Sequence, residues 1–267
     1  MFDTRFELYG ESVFTSLRSF NGQFVCFALH RRRLFESCSQ CFGVLGISFE
    51  EFCEKYFPET IIEEWLNEHP NDYFRFTFYM DEEISLKKFK FSIESLKLHI
   101  STRPMAEAEE LNLLNLALAP YPFSQSYRPV KYGSYARQIE HKKAAMRDGF
   151  DDALFYDEQS RHLLELTTAN IIFVDKTGVF YTPEGNHFLQ GITLKCFRIF
   201  AKSENLEFKT FNISESSIQN YEYAFALNAV SLLTYINSIG KHEFSSKNTK
   251  LFSSIRKKFI SYLERST

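Results

Sequence analysis

The sequence predicts an α+β protein made of two domains, and three features of the chain lead to this prediction. An Asn21-Gly22 pair, the strongest short signal for a hairpin turn, separates two strand-like segments near the start. Residues 119–129 hold three prolines within eleven residues, which is typical of a linker. Closely spaced short strands then occupy residues 153–182. We therefore expect a small N-terminal α/β domain at residues 1–118, a linker at 119–130, and a larger C-terminal domain at 131–267 with a barrel-like β-sheet and outer helices.

The first domain alternates between strand and helix signals. Residues 12–20 and 23–29 flank the Asn-Gly turn as the two strands of a hairpin. Apolar residues at helical spacing predict the helices, and nearly strict alternation predicts the strand at 72–80. In chain order after the hairpin, we expect helices at 30–41, 49–57 and 60–68, and then strands at 72–80 and 88–100.

The second domain is predicted to contain mainly short strands, with helices packed outside them. A basic amphipathic helix at residues 135–147 ends at Gly149, and Asp175–Gly178 forms a turn between two strands. We expect strands at 153–156, 162–166, 170–174, 179–182 and 223–228, and further helices at 193–203 and 248–264.

Composition and charge exclude several classes of protein. The formal net charge of −3 argues against a nucleic-acid-binding protein, which usually has a basic face. No apolar run approaches the roughly 20 residues that a membrane-spanning helix needs. The mixed polar start at residues 1–5 does not resemble a signal peptide. We therefore expect a cytoplasmic protein without nucleic-acid or membrane partners.

The five cysteines indicate a reducing compartment, because an odd number in a chain of this size is typical of free thiols. Cys38 and Cys41 form a Cys-x-x-Cys pair, but neither a second pair nor a His-x-x-x-His segment follows. Two small side chains on a helix explain this pair better than a zinc site does. We predict no metal site.

Three features carry candidate chemistry, and each also has an ordinary structural explanation. Lys131, between the linker and a helix, could be one exposed lysine among many. Glu165 lies in the apolar segment Leu163–Leu166, so it is either on a solvent-facing edge or buried opposite a cation. Residues 190–193 open a helix, where free N–H groups can hold an anion or Thr193 can simply cap the helix.

These features belong to a longer series of ordered motifs along the chain. The series comprises Tyr9–Thr15 and His30–Leu34 upstream, and then Lys131, Ser134-Tyr135, Gly149–Leu154, Asp157, Glu165 with Asn170, Thr182-Pro183 and Gly191–Thr193. Their order and spacing resemble the core signature of the class IV aminotransferases, the fold-type IV enzymes that use pyridoxal phosphate. Residues 42–118 show no part of that signature. The family also implies the fold of the D-amino-acid aminotransferases.

The resemblance implies a role for each matched residue. Lys131 would carry pyridoxal phosphate as a Schiff base and would then move the proton at the substrate carbon. Glu165 would keep the pyridine nitrogen of the cofactor protonated, and Arg33 would bind the phosphate. The remaining cofactor-binding residues that the family implies are Tyr135, Asn170, Gly191, Ile192, Thr193, Asn228 and Ala229.

Within the family, the sequence looks most like the 4-amino-4-deoxychorismate lyases of folate synthesis. The lyases and the D-amino-acid aminotransferases share the three-residue step from Lys131 to Ser134, whereas branched-chain aminotransferases generally insert one more residue. Ser134 and Leu194 replace the family's usual Asn and Arg, which affects the substrate assignment more than the cofactor.

The resemblance thus implies release of 4-aminobenzoate and pyruvate from an amino substrate. D-amino-acid or branched-chain transamination is the alternative, and a non-catalytic relative that binds the cofactor is a third possibility. A homodimer is implied by the family alone.

Overall fold

A computed structural model describes residues 5–43, 45–81, 92–105, 113–123, 130–186, 188–244 and 249–265. Within these ranges the chain has the predicted α+β fold. It divides into two compact units. The first unit comprises Met1–Ala106, Val130–Tyr135 and Thr267, and the second comprises Glu107–Pro129 and Ala136–Ser266.

The first unit is an antiparallel sheet packed against helices. Three phenylalanines at alternate positions, Phe74, Phe76 and Phe78, are fully buried, because alternate side chains of a strand point to the same face. The strand order is β2-β1-β3-β4. The described elements are α1 (Arg5–Tyr9), β1 (Ser12–Phe20), β2 (Gln23–Phe24), α2 (Phe27–Phe42), α3 (Phe49–Tyr56), α4 (Glu59–Glu68), β3 (Asp72–Met80), a short 3-10 helix (Ile93–Ser95) and β4 (Leu96–Pro104).

Two predictions for this unit need correction, while β1, β3 and the three helices are confirmed. The predicted strand at 23–29 is wrong beyond Phe24, because Cys26 adopts a left-handed backbone with φ of 55° and begins α2. The carbonyl of Cys26 then accepts the N–H of His30 at 3.3 Å. The strand predicted at 88–100 begins only at Leu96, and residues 88–91 lie outside the described ranges.

The second unit is built on a curled, half-barrel sheet, which confirms the predicted fold class. Its described strands follow the order β10-β9-β8-β11-β12-β5-β6-β7, with β13 beside β12. The elements are β5 (Leu114–Pro120), α5 (Ala136–Arg147), β6 (Asp152–Tyr156), β7 (Leu163–Leu166), β8 (Asn170–Asp175), β9 (Phe180–Pro183), α6 (Ile192–Ser203), β10 (Phe208–Phe211), a 3-10 helix (Glu215–Asn220), β11 (Tyr221–Asn228), β12 (Leu232–Ile239), β13 (His242–Glu243) and α7 (Thr249–Arg265).

The division into units differs from the predicted boundary at residue 118. The strand β5 was not predicted, and it pairs in parallel with both β6 and β12 inside the second unit. Residues 130–135 belong instead to the first unit, where Tyr132 forms a β-bridge with Val13. Residues 124–129 of the predicted linker lie outside the described residues. Across the described ranges, no helix is long and apolar enough to cross a membrane.

Candidate functional site

Lys131 lies on a short extended segment that pairs with β1 inside the first unit. The N–H of Phe14 donates to the carbonyl of Lys131 at 2.9 Å, and the N–H of Gly133 donates to the carbonyl of Ser12 at 2.7 Å. A methyl group at Gly133 would lie 1.9 Å from Oγ of Ser12, so this close approach depends on glycine. Backbone hydrogen bonds therefore fix the position of Lys131 independently of its side chain.

The amine of Lys131 lies among aromatic side chains. Its Nζ donates a hydrogen bond to Oη of Tyr135 at 2.9 Å. It also lies 4.7 Å from the ring centroid of Phe14, within the range of a cation–π interaction. Lys131 and Tyr135 are both half-buried. The amine is thus held in one position and partly shielded from water, as a reacting group requires.

Arg33 lies on α2 and has an unsatisfied donor. Its Nη2 donates to Oγ1 of Thr15 on β1. Its Nε is buried and has no hydrogen-bond partner among the described residues. Burial lowers the pKa of Arg33 to about 10, against the opposing effect of Tyr135, so the guanidinium stays charged at neutral pH. A buried charged donor without an acceptor is costly, and an anion such as a phosphate would satisfy it.

His30 completes this network from one turn earlier on α2. Its Nδ1 lies 2.6 Å from Oγ1 of Thr15. Because Arg33 can only donate, the Thr15 hydroxyl accepts from Arg33 and is free to donate to Nδ1 of His30. Burial is the main cause that lowers the pKa of His30 well below its usual 6.5, and the charges of Arg33 and Lys131 add to it. A neutral His30 with its proton on Nε2 fits these contacts.

Glu165 lies on β7, the last strand of the second sheet, between the buried side chains of Leu164 and Leu166. It is half-buried, so neither predicted alternative describes it fully. Its Oε1 accepts the backbone N–H of Leu189 over a long 3.4 Å. The carboxylate is thus oriented by the segment that leads into α6.

The first turn of α6 offers N–H groups to an anion. Gly191 is the N-cap, and the first intrahelical bond runs from the N–H of Lys195 to its carbonyl at 3.1 Å. The N–H groups of Ile192, Thr193 and Leu194 come before that bond, so the helix itself does not use them. Ile192 and Thr193 are buried. The predicted anion site at residues 191–193 therefore has the geometry of a helix N-terminus.

Two predicted cofactor residues make contacts with protein backbone. The amide of Asn170 bonds to the carbonyl of Leu189 at 2.8 Å and to the N–H of Gly191 at 2.9 Å. Oδ1 of Asn228 accepts the N–H groups of Val230 and Ser231, so it shapes the turn after β11. Contact of Asn170, Asn228 or Ala229 with a cofactor stays a prediction.

The structure thus gathers the predicted residues into two groups. Lys131, Arg33 and Tyr135 lie in the first unit, where the charges of Arg33 and Lys131 both act on His30. The second unit holds the other predicted residues, which are Glu165, Asn170, Gly191, Ile192, Thr193, Asn228 and Ala229.

Sequence reasoning gave no role to Thr15 and His30. Two signals could have found them. His30 and Arg33 are three positions apart, which places them on one face of α2. Thr15 lies two positions from each of the buried residues Val13 and Leu17 on β1, so all three side chains point to the same face of the strand. This is the face that α2 covers.

Each group, taken by itself, has side chains or N–H groups that suit part of pyridoxal phosphate. In the first group, the unsatisfied Nε of Arg33 suits an anion such as a phosphate. In the second group, the N–H groups at the start of α6 also suit an anion. A half-buried carboxylate such as Glu165 suits a protonated ring nitrogen. Among the described residues, no three His, Cys, Asp or Glu side chains are grouped so that they could hold a metal ion.

Comparisons with known proteins identify the family. The family model for amino-transferase class IV matches residues 12–239. A probable branched-chain-amino-acid aminotransferase of Rickettsia bellii is 30% identical over 237 residues, covering 86% of this chain and 78% of the relative. A relative of the same description from Rickettsia typhi is 27% identical, covering 94% of this chain and 87% of that protein.

Solved structures share the fold. A putative 4-amino-4-deoxychorismate lyase of Legionella pneumophila superimposes with a TM-score of 0.79 at 18% identity, covering 97% of this chain and 94% of that one. The pyridoxal-phosphate-bound form of a hypothetical aminotransferase from Mycobacterium tuberculosis gives a TM-score of 0.80 at 12% identity, covering 100% of this chain and 94% of that one. The chain therefore belongs to the class IV aminotransferase family of pyridoxal-phosphate-dependent enzymes.

Proposed function

We propose that this enzyme is a 4-amino-4-deoxychorismate lyase, which releases 4-aminobenzoate and pyruvate. The observation that carries the proposal is the short connection from Lys131 to α5, which resembles that of the lyases. Ser134 lies three positions after Lys131, and Oη of Tyr135 lies 2.9 Å from the lysine amine.

Lys131 and Tyr135 have different roles in the proposed reaction. When bound, pyridoxal phosphate supplies a pyridinium ring that stabilises negative charge at the substrate carbon bearing the amino group. The Lys131 amine would hold the cofactor covalently and would also move the proton at that carbon. Tyr135 keeps the lysine amine in place through its hydrogen bond. The lysine would therefore serve both as an anchor and as a base.

The other assigned residues would orient the cofactor and neutralise its charges. By resemblance to the family, Arg33 would donate from its unsatisfied Nε to the cofactor phosphate. The resemblance likewise implies that the N–H groups of Ile192 and Thr193 would bind a phosphate. Glu165 would keep the ring nitrogen protonated by supplying its counter-charge. These assignments follow the family, whose model matches residues 12–239 and so includes all of these residues.

A branched-chain aminotransferase is the second candidate, favoured by the descriptions of the Rickettsia relatives. The two reactions differ in what they consume. A lyase acts on one substrate, whereas a transaminase passes the amino group to a keto acid. The same lysine and carboxylate serve both reactions, so the products must decide.

A product assay tests the proposal. The purified enzyme is incubated with 4-amino-4-deoxychorismate alone, and 4-aminobenzoate and pyruvate are quantified; in parallel, leucine and 2-oxoglutarate are supplied and glutamate is measured. We expect both lyase products without a keto acid, and none from the Lys131→Ala control. Formation of glutamate without pyruvate from the first reaction would assign the enzyme as an aminotransferase.

The attachment of the cofactor has its own test. We expect an absorption band of bound cofactor in the visible or near-ultraviolet range, and borohydride reduction should leave a pyridoxyl group on the peptide that contains Lys131. A pyridoxyl group on another lysine would overturn the assignment of Lys131. Failure of the chain to take up added pyridoxal phosphate would overturn the proposed function as a whole.

The proposal includes the cytoplasm as compartment, because the odd number of cysteines is typical of free thiols in a reducing compartment. It also includes a homodimer as the working form, by resemblance to the family. Light scattering during size-exclusion chromatography measures the mass of the particle. Twice the chain mass of 31.4 kDa supports the dimer, and a single chain mass contradicts it.

A further inference from the structure

The side-chain amide of Asn170 binds two backbone groups of residues 189–191, the segment that leads into α6. Asn170 is the first residue of β8, and only 4% of it is exposed. Its Nδ2 donates to the carbonyl of Leu189 at 2.8 Å, and its Oδ1 accepts the N–H of Gly191 at 2.9 Å. One buried amide therefore binds two backbone groups, one at residue 189 and one at residue 191, immediately before the helix begins.

The fit between Asn170 and this segment leaves no free space. A methyl group at Gly191 would lie 2.2 Å from Oδ1 of Asn170, well inside van der Waals contact. Phe188, one position before the segment, is buried and contributes to a core cluster with Leu164 of β7. The segment is thus anchored by a side chain at one end and by the Asn170 amide at the other.

The same segment also contacts Glu165. The carbonyl of Leu189 is bound by Asn170, while the N–H of Leu189 donates to Oε1 of Glu165. A shift of Leu189 would therefore move the donor that orients Glu165. A shift of Gly191 would move the N-cap of α6 and the N–H groups that follow it. Loss of the side-chain amide of Asn170 would therefore cause both shifts.

We propose that Asn170 is a positioning residue that, through residues 189–191, sets the orientation of Glu165 and of the first turn of α6 together. The inference rests on the proposed function, because these are the groups assigned to the ring nitrogen and the phosphate of the cofactor. Asn170 acts through the backbone of Leu189 and Gly191. Loss of the Asn170 side chain would therefore disturb both Glu165 and the first turn of α6. Loss of a single contact to the cofactor would not affect both.

Two substitutions at this position separate geometry from charge. Asn170→Ala removes both hydrogen bonds and leaves the N–H of Gly191 without its acceptor, so we expect roughly tenfold or greater loss of pyridoxal phosphate affinity. Asn170→Asp keeps an acceptor for Gly191 but loses the donor to Leu189. It also adds a negative charge beside the helix N-terminus, which competes with the phosphate. It should weaken cofactor binding while preserving the fold.

Three measurements on the full-length chain read out these effects. Titration followed by absorbance gives the dissociation constant of pyridoxal phosphate. The absorption maximum of the bound cofactor reports the environment of its ring nitrogen, and in Asn170→Ala it should shift in the direction seen for Glu165→Gln. Hydrogen exchange without cofactor reports the amide of Gly191, which should exchange faster in Asn170→Ala than in the unmodified chain.

Asn115→Ala is the matched control. Asn115 is also an amide in the second unit, and its Oδ1 accepts hydrogen bonds from Asn237 and Ser238. This variant should lose stability but keep the cofactor affinity, the absorption maximum and the exchange of Gly191. If Asn115→Ala and Asn170→Ala lost affinity equally, the effect would be general destabilisation and the proposal would be wrong.

The outcomes distinguish this inference from the proposed function. Wild-type affinity and spectrum in Asn170→Ala would overturn the positioning role, even if lyase activity is present in the unmodified enzyme. Unchanged exchange at Gly191 would likewise overturn it, with or without cofactor. An unmodified chain that binds no pyridoxal phosphate would refute the proposed function, and the exchange of Gly191 alone would then decide whether Asn170 fixes the segment.

Discussion

Lys131 in the first unit and the first turn of α6 in the second are both held closely, but by different kinds of contact. Backbone bonds to β1 hold Lys131, with Gly133 approaching Ser12. A side-chain amide, that of Asn170, holds the start of α6, with Gly191 approaching it. At each glycine a methyl group would lie within about 2 Å of its neighbour, at 1.9 and 2.2 Å respectively.

The difference determines which substitutions matter. Backbone bonds survive the loss of a side chain, so the side chain of Lys131 can be removed without moving the segment that carries it. The start of α6 depends on one replaceable side chain. A substitution of the Lys131 side chain should therefore separate chemistry from structure, whereas a substitution of Asn170 should affect both.

The largest expected effect is that of Lys131→Ala, which tests the first half of this comparison. Turnover should fall on the order of 10⁴-fold or more, because the proposed covalent anchor and the proposed base are lost together. The thermal unfolding midpoint should change little, because the backbone bonds to Phe14 and Ser12 remain. Product assays and circular dichroism melting measure the two quantities. Retention of full activity would exclude Lys131 as the catalytic residue, and loss of the fold would contradict the backbone mechanism.

Gly133→Ala should disrupt the backbone pairing of residues 131–133 with β1. The new methyl group meets Oγ of Ser12, and we expect a loss of about 1–3 kcal/mol in the free energy of unfolding, together with reduced turnover. Chemical denaturation measures the first quantity. The double variant with Ser12→Gly removes the obstructing side chain and should recover part of the loss. No recovery would mean that another contact limits residue 133.

Glu165→Gln should have a smaller and more specific effect in the second unit. The amide keeps an oxygen for the N–H of Leu189, so cofactor affinity should be retained. Turnover should fall roughly 10²-fold, because the ring nitrogen loses its counter-charge. A deuterated substrate at the amine-bearing carbon should show a larger isotope effect than with the unmodified enzyme. An unchanged rate would remove Glu165 from the site.

The smallest effect is the pH dependence contributed by His30. Burial, then the charges of Arg33 and Lys131, lower the pKa of His30 in the folded chain well below its usual 6.5. At a pH between these two pKa values, His30 is protonated to a greater extent in the unfolded chain than in the folded chain. This contribution to stability is complete above pH 6.5 and decreases as the pH falls below it. The slope is at most about 1.4 kcal/mol per pH unit.

Urea unfolding of the unmodified chain and of His30→Asn, at several values between pH 5 and pH 7.5, measures this slope. We expect the variant to lose it, because asparagine does not titrate and its carbonyl can still accept from Thr15. Equal slopes in both proteins would show that another group titrates there.

Much of the fold was predictable where the local pattern was strong. The strand at residues 72–80 alternates almost strictly and was predicted with its observed bounds, Asp72–Met80. The segment Leu114–Pro120 carries small residues between its leucines and gives a weak signal, and its two partners are far away in the sequence. The left-handed conformation at Cys26 ended the predicted strand early, and cysteine gives no warning of it.

The candidate site shows the same limit. Ordered motifs led to Lys131, Arg33 and Glu165, because a family signature is a local pattern. The contacts of Asn170 were not predictable, since its partners are 19 and 21 positions further along the chain. Hydrogen bonds of this kind depend on tertiary structure, which one sequence does not reveal.

The pairing of Lys131 with β1 has a consequence for biosynthesis. Phe14 and Lys131 are 117 positions apart. At a synthesis rate of about 5–20 residues per second, the edge of β1 at residues 12–14 waits on the order of ten seconds for its partner to emerge from the ribosome. An unpaired strand edge is a site for association with other chains. The nascent chain thus exposes this strand edge until the segment that contains Lys131 has been made.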